Sequence, residues 1–471
     1  MRAAPATKCR VLELGCGEGV NTLSLAQALP GSSFVGIDAA ASAVERGGEL
    51  VRAAGLRNVE LRCEDIESLP EELGSFDYVI AHGVYSWIPP RARGALLECC
   101  QQRLNEAGIA YVSYNAYPGS YLRDMTRDML LYHLRDVEDP EARLAGAHEL
   151  MRTIVEIETP SPYAQALREQ IERMLRYSDA LLFHDDLAEI STPFYFHEFV
   201  EHAERHGLRF LAEADLSDSQ MRDVPESAGR LMAALPDDAV VREQYLDFFR
   251  NRMFRQTLLC HAEAPVHREL DVDELERFAI SSTAQPQEVE EEQRGKQGQE
   301  EGETFLTPEG FSITTSERLV AAAMRALSQA WPAALEFPAL LAVAREAAGT
   351  EVPEELVAER LRSVLLQAHL ARIVGLQSCA PSLVPHPSER PLASALARAQ
   401  HAAGRPAVSS LLHANVQLLG ELEPQLLGLL DGTRDREALL DGLTASTELA
   451  PNAAELEETL QRFAVVGLLC A

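Results

Sequence analysis

The stretch VLELGCGEG, Val11–Gly19, decides the fold class of this chain. An apolar run carrying one acid, Glu13, leads into Gly15-Cys16-Gly17-Glu18-Gly19 and then a helix-like segment. Glycines at such a strand-to-helix turn let the backbone approach a ligand where a Cβ would block it. Dinucleotide sites use G-x-G-x-x-G and seat a pyrophosphate on the helix N-terminus. Here the third glycine comes one residue early, and Val20 follows. A carboxylate at Glu13 repels a pyrophosphate and attracts an ammonium. S-adenosylmethionine (SAM) has an ammonium, a sulfonium and no phosphate, so the spacing and the acid together favour SAM.

Outward from this turn, strand-like and helix-like segments alternate. Strands are predicted at Lys8–Leu14, Ser33–Ile37, Val59–Arg62, Phe76–Ala81 and Ile109–Tyr114, with helices at Val20–Leu29, Ala40–Ala54 and Arg91–Leu104. This alternation predicts an α/β, doubly wound parallel sheet. Asp38 closes the second strand, where an acid can accept both ribose hydroxyls or cap a helix. Asp65 and Ile66 follow the third strand and are candidates for the adenine, the acid toward its amino group and Ile66 through its side chain and amide. The fourth strand runs into His82-Gly-Val-Tyr85-Ser-Trp87, and the fifth into Tyr114-Asn115-Ala-Tyr117-Pro. Ligands sit at the carboxyl ends of strands in such sheets. His82, Tyr85, Trp87, Tyr114, Asn115 and Tyr117 are therefore candidates for the substrate channel; the competing reading is that Tyr85 and Trp87 only cover the next helix. Asn115-Ala-Tyr117-Pro118 is similar to the Asn-Pro-Pro-Tyr of amino-group methyltransferases, but that motif follows the fourth strand.

Residues 119–190 carry helical periodicity (Tyr121, Met125, Met129, Tyr132) and read as an insertion, with a break at Pro160-Ser-Pro162. Sheet-like material returns over 191–266, including a helix over Phe194–His206 and strands at Leu208–Ala214 and Gln256–Ala262. Residues 267–303 read as an acidic, solvated linker. Two weakly similar helical stretches suggest winged-helix-like modules over 304–385 and 386–471.

Among 471 residues the net charge is −31, which disfavours nucleic acid and anionic membranes as partners. No apolar run reaches the roughly 20 residues of a membrane span. The eight cysteines show neither a zinc nor a disulfide pattern, and free thiols fit a reducing cytoplasm. His197-Glu-Phe-Val-Glu-His202 is one residue too long for a zincin pair, so no metal is expected. His202 and His206 share a helix end expected to be solvated.

VLELGCGEG, FVGID, CEDI and FDYVIAHG resemble the successive motifs of class I SAM-dependent methyltransferases. HGVYSWIP, YVSYNAYPGSYLRDMTRDMLLYH, PFYFHEFVEHAERHGLRFLAEAD and FRQTLLCHAE resemble those that carry a methyltransferase regulatory domain, the group of the rickettsial outer-membrane-protein lysine methyltransferases. The resemblance implies a Rossmann-like SAM core, an insertion serving homodimer contacts and site cover, and C-terminal modules that engage the substrate. It implies lysine side chains of a protein as acceptor; a small-molecule acceptor is the rival. It also implies several dozen Tyr/Pro-rich residues ahead of the first strand that lid the cofactor. Only Met1–Thr7 stand there: either the start is assigned too late or the lid is lacking, and the second case gives weight to a third reading, a weakly active or silent interaction protein.

Overall fold

The structure, a computed structural model, describes all residues except 1–2, 158–160, 221–225, 288–301, 381, 447–450 and 471. The expected break at Pro160 and most of the Glu-rich stretch lie outside the described residues. Two compact units emerge: Ala3–Glu64 with His267–Ala471, and Asp65–Val266.

In the first unit, β1 (Arg10–Leu14), β2 (Ser33–Asp38) and β3 (Val59–Cys63) are parallel, in the order β3-β2-β1. Val11, Leu12 and Leu14 are all buried, as befits a parallel strand covered on both faces. Helices α1 (Val20–Ala28) and α2 (Ala41–Ala54) make the crossovers. Gly55, at φ 67°, ends α2 in a left-handed turn that glycine adopts without Cβ strain. The C-terminal half of the unit has two separate cores. One gathers Phe305, Met324, Leu340 and Leu361, and the other Leu427, Leu443, Leu460 and Phe463. The expected linker is corrected at its N-terminal end. Leu275 and all of β8 (Ala279–Ser281) are buried, and β8 pairs with Leu335–Glu336 and Gly375–Gln377. Ile280 supplies the apolar anchor that makes this short segment part of the first core.

In the second unit, β4 (Phe76–Ala81), β5 (Leu104–Asn115), β6 (Leu208–Glu213) and β7 (Phe254–His261) take the order β4-β5-β7-β6. β4 and β5 are parallel, and β7 runs antiparallel to both its neighbours. The strands of this unit are thus mixed rather than wholly parallel, which corrects the expected parallel sheet. β5 begins five residues earlier than the sequence predicts, because Leu104 pairs with Phe76 across a register shift. Helices α3 (Pro90–Arg103), α4 (Tyr121–His133), α5 (Pro140–Glu156) and α6 (Pro162–Met174) follow the predicted order. The last three bury Leu130, Met151, Ile171 and Met174 in a core of their own. Among the described residues no helix is long and apolar enough to cross a membrane.

Candidate functional site

The loop after β1 is shaped by three left-handed glycines, Gly15 (φ 70°), Gly17 (φ 56°) and Gly19 (φ 74°). The amides of Gly15 and Cys16 both donate to the Ile37 carbonyl, which ties the turn to β2. Asp38 completes the tie: its Oδ2 accepts from Gly17 N at 2.7 Å and its Oδ1 from Ala40 N at 2.8 Å. The two sequence readings of Asp38 therefore coexist, since it braces the start of α2 and also faces the glycine loop. A Cβ on Gly17 would meet nothing within 4 Å. The space over that residue is open, as a cradle for a ligand requires. At Gly19 a Cβ would come within 2.8 Å of Leu23 and 2.9 Å of Leu61. Gly19→Ala is expected to cost about 1–2 kcal/mol from its φ alone; an unchanged urea midpoint would remove this steric account.

Glu13 is 4% exposed, and its carboxylate accepts from Asn21 Nδ2 at 3.0 Å and from the Thr22 hydroxyl. Burial raises its pKa above the ordinary carboxylate range, opposed by these two donors. Cys16 packs against Gly36, and burial, then Glu13 and Asp38, push its thiol up to about 12. It is therefore a neutral wall of the turn at physiological pH. A buried acid behind open, left-handed glycines and a braced aspartate fit a cationic, ribose-bearing cofactor without phosphate.

The remaining candidates lie in the second unit. Asp65 is exposed and its Oδ1 accepts from Glu67 N at 2.9 Å, capping a short 3₁₀ turn that begins at Ile66. His82 lies on the surface, its Nδ1 3.1 Å from both the Tyr111 hydroxyl and Ser113 Oγ. Tyr85 requires a correction as a channel residue. It is 0% exposed, packed on Phe194 and Phe199, with its hydroxyl 2.5 Å from His202 Nδ1. A ring sealed on all sides cannot line a channel, and the same holds for buried Tyr114, stacked on Phe199 at 4.1 Å. Trp87 is half-buried with its ring against His184. Asn115 is buried at the end of β5, its amide N–H donating to Ser86 Oγ and its carbonyl accepting from Phe194 N. The helix end of His202 and His206 is expected to be solvated, and there both imidazoles are only partly exposed. Burial first, then His206, Arg205 and Arg93, lower the pKa of His202 to about 4. His197 turns instead to Gln244, and no metal-binding cluster occurs among the described residues.

Tyr117 lines a cavity of about 680 Å³. Its ring stacks on Tyr121 at 4.3 Å, and its hydroxyl donates to Asp124 Oδ2 at 2.7 Å. Burial, then the Asp124 carboxylate, raise the phenol pKa. Asp128, Met125, Met129 and Tyr132 of α4 complete the wall, with the guanidinium of Arg127 turned to the Ala188 carbonyl. Tyr132 is 73% exposed, so this wall reaches solvent. The acids of this cavity are absent from the sequence-based candidates. The available signal was the stripe Tyr121, Met125, Asp128, Tyr132, which puts a carboxylate on an otherwise apolar face.

Three family descriptions match the chain: "Methyltransferase domain" over residues 11–108, "Predicted methyltransferase regulatory domain" over 178–261, and "PKMT, C-terminal winged helix domain" over 389–464. The structure is similar to that of PKMT2 from Rickettsia typhi, with TM-score 0.86 and 26% identity, covering 100% of this chain and 96% of that one. The same protein has been solved in complex with AdoHcy. The Rickettsia prowazekii protein RP028 is 34% identical over 209 residues, 44% of this chain and 84% of RP028. RP789 from the same organism is 36% identical over 273 residues, 58% of this chain; the chain spans about half (49%) of its length. The glycine loop, the fold and these likenesses agree on SAM as cofactor, and the chain belongs to the SAM-dependent methyltransferases that carry a methyltransferase regulatory domain.

Proposed function

We propose that the protein transfers methyl groups from SAM to lysine side chains of a polypeptide. The observation that carries this reading is the acid-and-phenol cavity of Tyr117, Tyr121, Asp124, Asp128 and Tyr132. A lysine fits it in two parts: the aliphatic stem against tyrosine faces, the ammonium drawn by carboxylates and by ring quadrupoles. The exposed wall at Tyr132 suits a side chain reaching in from a polypeptide. The PKMT designation of the structural neighbour supports the same acceptor.

In this reading the glycine loop holds the methionine part of SAM, with Glu13 supplying negative potential from behind. Asp38 takes the ribose, Asp65 and Ile66 the adenine, and His82 flanks the cofactor. Tyr117 and Asn115 orient the acceptor, and Trp87 bounds its approach. Bound SAM supplies a methyl group already activated by the sulfonium, whose charge also lowers the pKa of an adjacent ammonium. Asp124 and Asp128 recruit the lysine as a cation, and Tyr117, kept protonated, partly neutralises Asp124 by donating to it. Loss of the lysine proton, about three pH units below its ordinary pKa, then needs no dedicated base. The chain's main contribution is alignment, worth up to roughly 7–11 kcal/mol in well-oriented systems.

Tritiated SAM with a cell lysate tests the reading. Label is expected in protein, recovered as methyllysine on hydrolysis; label confined to small molecules, or none, would reject it. With a labelled peptide acceptor, the double variant Asp124→Asn/Asp128→Asn is expected to raise KM roughly tenfold, as loss of hydrogen bonds to a charged group does. The KM for SAM should stay as it was.

A further inference from the structure

The C-terminal winged-helix domain packs on the helices that carry the glycine loop. Leu396 and Ala399, on the helix Ala395–Ala402, share a buried apolar cluster with Leu23 of α1 and Leu50 of α2. Gln27, near the end of α1, accepts from Leu396 N at 2.8 Å through Oε1 and donates from Nε2 to Ser394 Oγ at 2.9 Å. Just beyond this helix, Gly404 turns the chain at φ 73° and the Arg405 amide donates back to Gln400 O. The Arg405 guanidinium then pairs with the carboxylate of Glu18. Arg46 Nε, from α2, holds the other oxygen of the same carboxylate at 2.6 Å.

Glu18 is the residue between Gly17 and Gly19, so this pairing acts on the loop itself. The backbone of Glu18 is fixed as well. Its carbonyl lies so close to Gly47 of α2 that a Cβ there would stand 2.4 Å away. The carbonyl thus rests on α2, and the side chain is clamped between α2 and the winged-helix domain. Left-handed glycines on both sides make the intervening residue easy to displace once the clamp is released.

We propose that Arg405 is a positioning residue for the cofactor: through Glu18, the C-terminal domain holds the glycine loop in its SAM-binding shape. The proposal rests on the reading that this loop holds the methionine part of SAM. It gives the winged-helix domain a role at the cofactor, through contiguous packed elements rather than through the acceptor.

The test is calorimetric titration of AdoHcy into the full chain, as wild type, Arg405→Ala, Arg405→Lys and Asp38→Ala, with KM and kcat measured in parallel. Arg405→Ala is expected to weaken AdoHcy binding about threefold to fivefold, the upper range for a partly exposed pair. KM for SAM should rise with kcat unchanged, and added salt should narrow the gap from wild type. Arg405→Lys should recover part of the affinity, since it restores the charge without the planar fork. Wild-type affinity in Arg405→Ala, with Asp38→Ala impaired, overturns the positioning role and leaves the loop assignment standing. Wild-type affinity in both overturns the loop assignment and this inference with it. Should Arg405→Ala not fold, Arg405→Gln, which keeps the side chain's reach, carries the same comparison.

Discussion

Arg255→Met is expected to destabilise the protein by about 3–5 kcal/mol in urea denaturation, as breaking a buried charge network does. Arg255 is 0% exposed. Its guanidinium donates to both oxygens of Asp247 at 2.9 Å, to Glu213 Oε1 at 2.7 Å and to Glu243 Oε2 at 3.1 Å. It also lies 3.8 Å over the Phe196 ring. Arg252 reaches Glu213 and Asp247 from the other side, but it cannot replace the lost charge at Glu243. Methionine would fill the space and leave the carboxylates with one guanidinium fewer. The pH dependence follows. Burial outweighs the two arginines at Asp247 and pushes its carboxyl up to about 6; removing Arg255 raises it further. A carboxyl whose pKa is raised on folding costs stability as pH rises through that value. The deficit of the variant should therefore be smallest below about pH 6 and grow as pH rises above it, where Asp247 of wild type is already ionised and that of the variant still titrates. A variant as stable as wild type at pH 7 would mean that the network adds nothing.

Asp38→Ala is expected to weaken SAM binding by about tenfold to a hundredfold, the scale of hydrogen bonds to a charged group. Each carboxylate oxygen can accept two hydrogen bonds. One from each is used within the protein, by Gly17 N and Ala40 N. In the proposed reading, the other acceptor site on each oxygen takes a ribose hydroxyl. The substitution would remove the proposed ligand contacts and also free Gly17, so the loop loses its brace. Asp38→Asn keeps one acceptor oxygen and should fall between the two. Calorimetry with SAM reads the series directly, and equal affinities across it would take Asp38 out of the site.

The part of the fold legible in sequence is the part with simple periodicity. VLELGCGEG, FVGID and FDYVIA are apolar runs bounded by glycine or acids, and β1, β2 and β4 fall on them within two residues. The short β8 escaped because its three residues, Ala-Ile-Ser, carry no period and sit beside an acidic stretch. Tyr85 escaped for another reason. A tyrosine after a strand end has the same sequence signature whether it faces a ligand or a histidine, and only the helix Phe196–Arg205 decides it. The Arg255 network was readable in part. Arg255, Thr257 and Leu259 alternate on the buried face of β7, which put an arginine where an apolar residue belonged. Its partners lie on β6 and on the helix Ala239–Arg250, and nothing local to them marks Glu213 or Asp247 as buried.

The packing of the helix Ala395–Ala402 on α1 and α2 also bears on how the chain is made. Leu23 and Leu50 leave the ribosome early, yet the surface that covers them arrives with Leu396 and Ala399. The Gln27–Leu396 bond closes a separation of 369 residues. At translation speeds of roughly 5–20 residues per second, β1, β2 and β3 wait on the order of tens of seconds for their cover. Meanwhile they present apolar helix faces to the crowded cell. Synthesis of this protein therefore places a demand for chaperones on the segment that carries β1, β2 and β3, and stalling or premature release before residue 396 leaves the glycine-loop segment uncovered.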